Sequence, residues 1–256
     1  MPQAERKLLR VSSTARRGVP APRTMLRAVG TERSARVYQE LRELIVDGRL
    51  APGSRIVERD LVDLLGVSRT PVRTALHRLQ QEGYVIGLHR GHRQRLIVTP
   101  LTQEDATELL EMVGALEGIA LRRVARLDPA ERRVIVDRLR GINSTFAKIA
   151  NGRHPDPRRM SAIDEAFHRT FVVRGAGARL LAMHESLQPQ TYRLRRLHHY
   201  RARELTPHSI DEHYEIIAAI DRGDARGAML SGQKNWQNAA VRVGEVLTRL
   251  GEYGKL

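Results

Sequence analysis

The 256-residue chain has no cysteine. This removes disulfide frameworks, thiolate metal sites and cysteine nucleophiles together, and leaves a reducing compartment compatible with it. Aromatic residues are scarce, at 4%, too few for a stacking platform that grips single-stranded nucleic acid. No apolar run is long enough to span a bilayer. The first residues lack the apolar core of a secretory signal, because Lys7 and Arg10 bracket Leu8 and Leu9, so a cytoplasmic location is expected. Acidic charge is also short. Against 44 Lys and Arg stand 29 Asp and Glu, a formal net charge of +15, and arginine far outnumbers lysine. Such a balance favours a polyanionic partner, nucleic acid ahead of an anionic membrane surface.

What is present centres on one stretch, GVSRTPVRTALHRLQQEG, residues 66–83. Ser68 is an N-cap residue type, able to accept a bond from a first-turn amide. Pro71 falls in the first turn, where a missing amide donor costs nothing. Val72, Ala75, Leu76 and Leu79 then recur at helical spacing, and Gly83 stops the helix. Arg69, Thr70, Arg73, His77 and Arg78 are left off the apolar stripe. A short helix with an apolar back and Arg and Thr at its free N-terminal end fits a DNA major groove, where arginine donates twice to guanine and threonine meets phosphate or a thymine methyl. The same pattern also describes an ordinary amphipathic helix with a solvated basic face, so the neighbouring segments decide.

Those neighbours have an order. Residues 1–30 carry seven basic side chains and one acid without helical period and read as a disordered basic arm. A helix is expected from Ser34 to Gly48, with Val37, Leu41, Leu44 and Ile45 on its apolar face. Pro52 and Gly53 form a turn. A second helix from about Glu58 to Leu65 directs Leu61, Leu64 and Leu65 inward, and Gly66 ends it. Two short helices at a tight glycine turn make a helix-turn-helix. Beyond Gly83 the period becomes two. Tyr84–Ile86 and Leu96–Val98 read as strands around a turn at 89–93, which makes a basic hairpin, or wing. Residues 31–99 hold twelve basic and eight acidic side chains.

From Pro100 onward everything reads helical. Thr102-Gln-Glu-Asp105, with acids in its first turn, reads as the start of a long helix lined by Leu109, Val113, Leu116, Ala120 and Val124. Asp128-Pro129 opens the next, with Val134, Leu139 and Ile142 as core candidates. Residues 151–159 read as a polar loop, and further helices are expected near 161–174, 177–197, 207–222 and 224–250. The fold class is therefore mainly α. It comprises a winged helix-turn-helix over 31–99 and an all-α helical bundle over 100–251.

The 33–99 segment resembles the DNA-binding domain of the GntR family of bacterial transcription regulators. The matching residues are Leu50, Pro52, Gly53, Ser54 and Ile56, then Glu58, Arg59 and Leu61, then Leu65-Gly-Val-Ser-Arg-Thr-Pro-Val-Arg73 with Ala75, Leu76, Leu79, Glu82 and Gly83. The helical remainder resembles the FCD sensor domain of the FadR subgroup. The resemblance implies a homodimer on a palindromic double-stranded operator, acting as a repressor under control of a small-molecule effector. It also implies DNA contacts at Arg59, Arg69, Thr70 and Arg73 and a wing contact near Gly91.

The resemblance further implies a metal held by one Asp and three His. Asp164 and His168 lie four apart on one helical face, and His213 follows in DEHYEII. A carboxylate with imidazoles suits a divalent transition ion such as zinc, nickel or manganese. The third imidazole is expected about twenty-two residues after His213, where Asn235 stands. Three readings stay open: a weakened site completed by Asn235 or water, a metal-free pocket, or a lost sensor. Val113 occupies a position where the family often places an arginine that clamps an effector carboxylate. The effector pocket is therefore expected around Val113, Asn235 and Arg193, with Arg193, Arg195 and Arg196 as substitutes or a solvated face, and His198 and His199 at the surface. Other function classes remain in view, namely a helical metalloenzyme with an accessory basic domain and a sequence-independent architectural DNA binder. Against an enzyme, no phosphate loop, nucleophile elbow or spaced general base appears.

Overall fold

The computed structural model describes residues 23–90, 93–201 and 206–250. The first part is α1 (Arg23–Val46), β1 (Arg55–Ile56), α2 (Glu58–Leu65), α3 (Arg69–Gln81) and a hairpin of β2 (Val85–Arg90) and β3 (Arg93–Val98). Helices α4 (Gln103–Val124), α5 (Pro129–Ala150), α6 (Pro157–Gly175), α7 (Ala178–Arg201), α8 (Thr206–Asp221) and α9 (Ala225–Leu250) follow. The expected architecture is present: a mainly helical chain whose small antiparallel sheet sits beside a helix-turn-helix.

The winged helix forms around one apolar cluster. Val37, Leu41 and Ile45 of α1 meet Leu61 of α2, the whole α3 stripe of Val72, Ala75, Leu76 and Leu79, and Tyr84, Val85 and Val98 from the hairpin. Gly66 takes a left-handed conformation, φ 61°, and its amide bonds back to the Val62 carbonyl. That left-handed cap turns the chain from α2 into α3 at a position where a β-carbon would be strained. In the sheet, β3 lies between β1 and β2. Ile86 faces Ile97 and Val85 faces Val98 across the hairpin. Strand β1 was not anticipated, because two residues are too few to show alternation. The hairpin strands run to Arg90 and from Arg93, longer than expected, and Gly91 lies outside the described residues.

Three expectations need correction. First, α1 begins at Arg23, inside the segment expected to be unstructured. Residues 23–30, RTMLRAVG, are mostly good helix formers but carry no apolar stripe, so periodicity is blind to them. Residues 1–22 lie outside the described residues. Second, Leu64 is 59% exposed. Leu61, Val62 and Leu65 pack on the core, and at ~100° per residue Leu64 falls roughly 110° from the centre of that stripe. Third, Val134 is 71% exposed. The α5 stripe is Ile135, Val136, Leu139, Asn143 and Phe146, and Val134 lies on its far side.

In the helical bundle, caps set the starts. The Thr102 hydroxyl accepts from the Asp105 amide at 3.2 Å. The Asp128 carboxylate accepts from Ala130 and Glu131 at 2.9 and 3.0 Å. Asp156 accepts from the Arg158 amide at 2.9 Å, with Pro157 as the first helical residue, so α6 starts four residues before its expected position. Helix α4 lies directly on α9. A β-carbon on Gly114 would stand 3.0 Å from that of Trp236, so the glycine permits the approach. Three apolar clusters hold the bundle, the smallest of them Phe146, Met160 and Ile210. Of the larger two, one is built on Leu121, Leu139, Phe167, Phe171 and Ile217, the other on Leu110, Val113, Leu194, Trp236 and Leu247.

Candidate functional site

The front of α3 is free because its back is fully committed. Arg69, Thr70, Arg73, His77 and Arg78 are exposed, while Val72 and Leu79 are completely buried. Ser68 has the extended N-cap backbone, yet its hydroxyl makes no capping bond, contrary to the expected role. The first turn contains no acid, which leaves the positive helix end uncompensated. Arg73 Nε donates to Glu58 at 2.8 Å, which ties α2 to α3 through an exposed pair that a polyanion can displace. Arg59 points to solvent, 4.0 Å from Asp63. Arg78 is engaged differently. Its guanidinium lies 3.7 Å over the Tyr38 ring and donates to Glu82 at 2.8 Å, so it braces α3 on α1.

In the bundle the expected trio comes together. Asp164 and His168 on α6 and His213 on α8 are all buried. Asp164 Oδ1 lies 3.6 Å from His213 Nε2 and 4.0 Å from His168 Nε2. Its Oδ2 lies 2.8 Å from Arg195 Nε and 3.9 Å from His199 Nε2. Burial alone would raise the Asp164 pKa, but His199, His168 and Arg195 outweigh it and hold the carboxyl well below its usual range. The rings are fixed from behind. His168 Nδ1 meets Glu117 at 2.7 Å and His213 Nδ1 meets Asn143 at 3.0 Å. Burial pushes His213 down to about 3, so its imidazole is neutral, and its buried Nε2 has no hydrogen-bond partner. A neutral imidazole held at Nδ1 with a free lone pair beside a carboxylate is the arrangement a divalent ion requires, and these residues fit one.

Asn235 borders the same space but is engaged elsewhere. Its amide donates to Glu212 at 2.8 Å, which also receives Arg242 at 2.7 and 2.9 Å. The cavity bounded by Asp164, His168, Arg195, His199 and Asn235 measures about 30 Å³, the share of one water. The residues expected to form an effector pocket do not meet. Val113 is completely buried in the apolar cluster with Leu194 and Trp236, and Arg193 lines a separate cavity between the bundle and the winged helix.

The α7 residues depart most from expectation. Arg193, Arg195, Arg196, His198 and His199 are all buried, not on a solvated face. Helix α7 is enclosed on two sides. Arg195 reaches Asp164 in the bundle, while Arg196, the next residue, bonds Asp47 at the end of α1. Tyr84 donates to the Pro189 carbonyl at 2.7 Å and Gln190 donates to the Glu82 carbonyl at 2.7 Å, so α7 docks on the winged helix directly. Glu117 was also missed. It is completely buried and takes His168, His184 at 2.9 Å and Trp236 at 2.7 Å. Burial would raise its pKa, but His168 and His184 hold it down to about 2. A glutamate four residues after Val113 on an otherwise apolar stripe was the available signal.

Comparison with known proteins agrees with this geometry. The model of the bacterial regulatory proteins of the gntR family matches residues 33–91, and that of the FCD domain matches residues 108–232. A helix-turn-helix-type transcriptional regulator of Agrobacterium vitis is 34% identical over 144 residues, 56% of this chain and 81% of the relative. The chain belongs to the GntR family. A gluconate operon transcriptional repressor of Bacillus licheniformis is 27% identical over 154 residues, covering 60% of each chain. The solved structure of E. coli McbR/YncC shares the fold, with a TM-score of 0.58 over 86% of this chain and 99% of that one at 21% identity. This GntR protein is thus a DNA-binding transcription regulator with a ligand-sensing FCD domain, and not an enzyme. Among its described residues no helix is long and apolar enough to cross a membrane.

Proposed function

We propose that this GntR protein is a cytoplasmic homodimeric repressor, with a DNA-binding domain over 31–99 and a sensor domain over 100–251. It reads a palindromic operator with α3, and a small-molecule effector bound to the sensor domain controls that binding. The observation that carries this is the division of α3: the apolar stripe is spent on the core, while Arg69, Thr70 and Arg73 stand exposed at one end. Arg69 and Arg73 read base edges, Thr70 meets phosphate or a thymine methyl, Arg59 contacts backbone or base, and the wing near Gly91 reaches the flanking groove. The repressor assignment follows the Bacillus licheniformis relative. The neutral His213 with its unpaired nitrogen, next to Asp164 and His168, supports one divalent transition ion, zinc, nickel or manganese. Such an ion would supply a fixed positive charge linking α6 to α8.

Selection of genomic fragments on the purified protein, followed by anisotropy titrations, tests the reading. Arg69→Ala or Arg73→Ala is expected to cost about 1–3 kcal/mol on the selected operator and to relax preference at one base pair per half-site. Equal losses on operator and bulk duplex would show that these side chains do not read bases. Metal analysis tests the ion: wild type carries it and Asp164→Asn does not, whereas a wild type that takes up none refutes it.

A further inference from the structure

The seam between winged helix and bundle encloses a cavity of about 500 Å³, within the roughly 300–1,000 Å³ typical of small-molecule sites. One wall is apolar, made by Ile45 and Val46 of α1, Leu101 and Leu197. The other carries Arg49, Arg158, Arg193 and Arg196. Two of these cations are already matched, since Asp47 receives both Arg158, at 2.6 Å, and Arg196. The second acid at the cavity, Asp156, caps α6.

Arg193 has no such partner. It is 2% exposed, and none of its three guanidinium nitrogens makes a hydrogen bond. Burial lowers its pKa only to about 10, so it is a cation at neutral pH. Tyr84 and Asp105 favour the charged form, but a buried guanidinium whose nitrogens hold no hydrogen bond is unfavourable. Arg193 lines the cavity, and its nitrogens hold no hydrogen bond that a ligand would have to displace.

We propose that this seam cavity is a second ligand site, separate from the Asp164 centre, for an organic monoanion. The anion's carboxylate pairs with Arg193 and its apolar body lies on Ile45, Val46, Leu101 and Leu197. The Asp164 cavity measures about 30 Å³, whereas the seam cavity has the size of a small-molecule site and touches α1 and α7 at once. A ligand there contacts both the DNA-binding and the sensor halves. Its binding does not depend on the operator reading, because it can be measured without DNA.

The test uses the full-length protein with 4-phenylbutyrate as probe and inorganic phosphate as the anion without an apolar body. Calorimetry is expected to show saturable phenylbutyrate binding that raises the melting temperature. Phosphate is expected to bind at least about tenfold more weakly. Arg193→Met should melt higher than wild type without ligand, because a buried guanidinium without hydrogen bonds is gone, and should lose the phenylbutyrate shift. Arg193→Lys should retain part of it. No heat and no shift with phenylbutyrate, a shift that survives in Arg193→Met, or phosphate binding as tight as phenylbutyrate would each overturn the proposal. Operator affinity of Arg193→Met measured without ligand separates such a failure from a failure of the operator reading.

Discussion

The two halves of this protein use charge in opposite ways. Among the described residues, every buried charged side chain belongs to the helical domain, from Glu117 and Asp164 to Arg193 and Arg242. The winged helix keeps an apolar interior of Val37, Leu41, Val72 and Leu79 and carries Arg59, Arg69 and Arg73 outside. A domain that meets a large polyanion at its surface needs only a rigid apolar mount for exposed cations. A domain that takes its ligand inside must bury polar groups and hold each against a partner.

Breaking each interior in turn sharpens that contrast. The largest effect is expected for Glu117→Ala, which strands His168, His184 and the Trp236 indole at a cost of about 3–5 kcal/mol. Chemical denaturation followed by Trp236 fluorescence measures it. Leu79→Ala empties a site in the apolar interior and is expected to cost about 2–4 kcal/mol. Calorimetry should place that loss in the winged-helix transition. A melting profile in which Leu79→Ala and Glu117→Ala shift one and the same transition equally would erase the distinction between the halves.

Asp47→Asn acts at the junction and is expected to cost about 1–3 kcal/mol by unpairing Arg196. Burial would raise the Asp47 pKa, but the bonds from Arg196 and Arg158 lower it. A carboxyl lowered on folding stabilises above its unfolded pKa and loses that contribution as pH falls through its folded one. The gap between wild type and Asp47→Asn is therefore expected at pH 7 and should close below about pH 4. An equal gap at both pH values would remove the ion pair as its cause. The smallest effect belongs to Glu58→Ala, an exposed partner of Arg73, with a stability change of about 0–1 kcal/mol.

How much was legible in the sequence follows the same division. In the winged helix, inside and outside correspond to apolar and charged, so the stripe of α3, the glycine turn and the hairpin could all be read. The errors there came from short or patternless pieces: the two-residue β1, Leu64 on a two-turn helix and the early start of α1. In the bundle the helices were readable from their periodicity, and the Asp164, His168 and His213 trio from the family resemblance, since the i, i+4 pair alone does not reach His213. The burial of Arg193, Arg195, Arg196, His198 and His199 was not. The partners of Arg195 and Arg196 lie on other elements, Asp164 on α6 and Asp47 just past α1, and a run of arginines looks the same whether water or a carboxylate faces it. Asn235 stands where an imidazole was expected, and only the fold shows that Glu212 holds its amide.

Arg195 and Arg196 are neighbours in sequence, on the part of α7 beyond Pro189, with one guanidinium at Asp164 and the other at Asp47. Turning that short segment about its axis would swing both through the same angle, so a single lever has one arm in the bundle and the other at the base of the DNA-reading head.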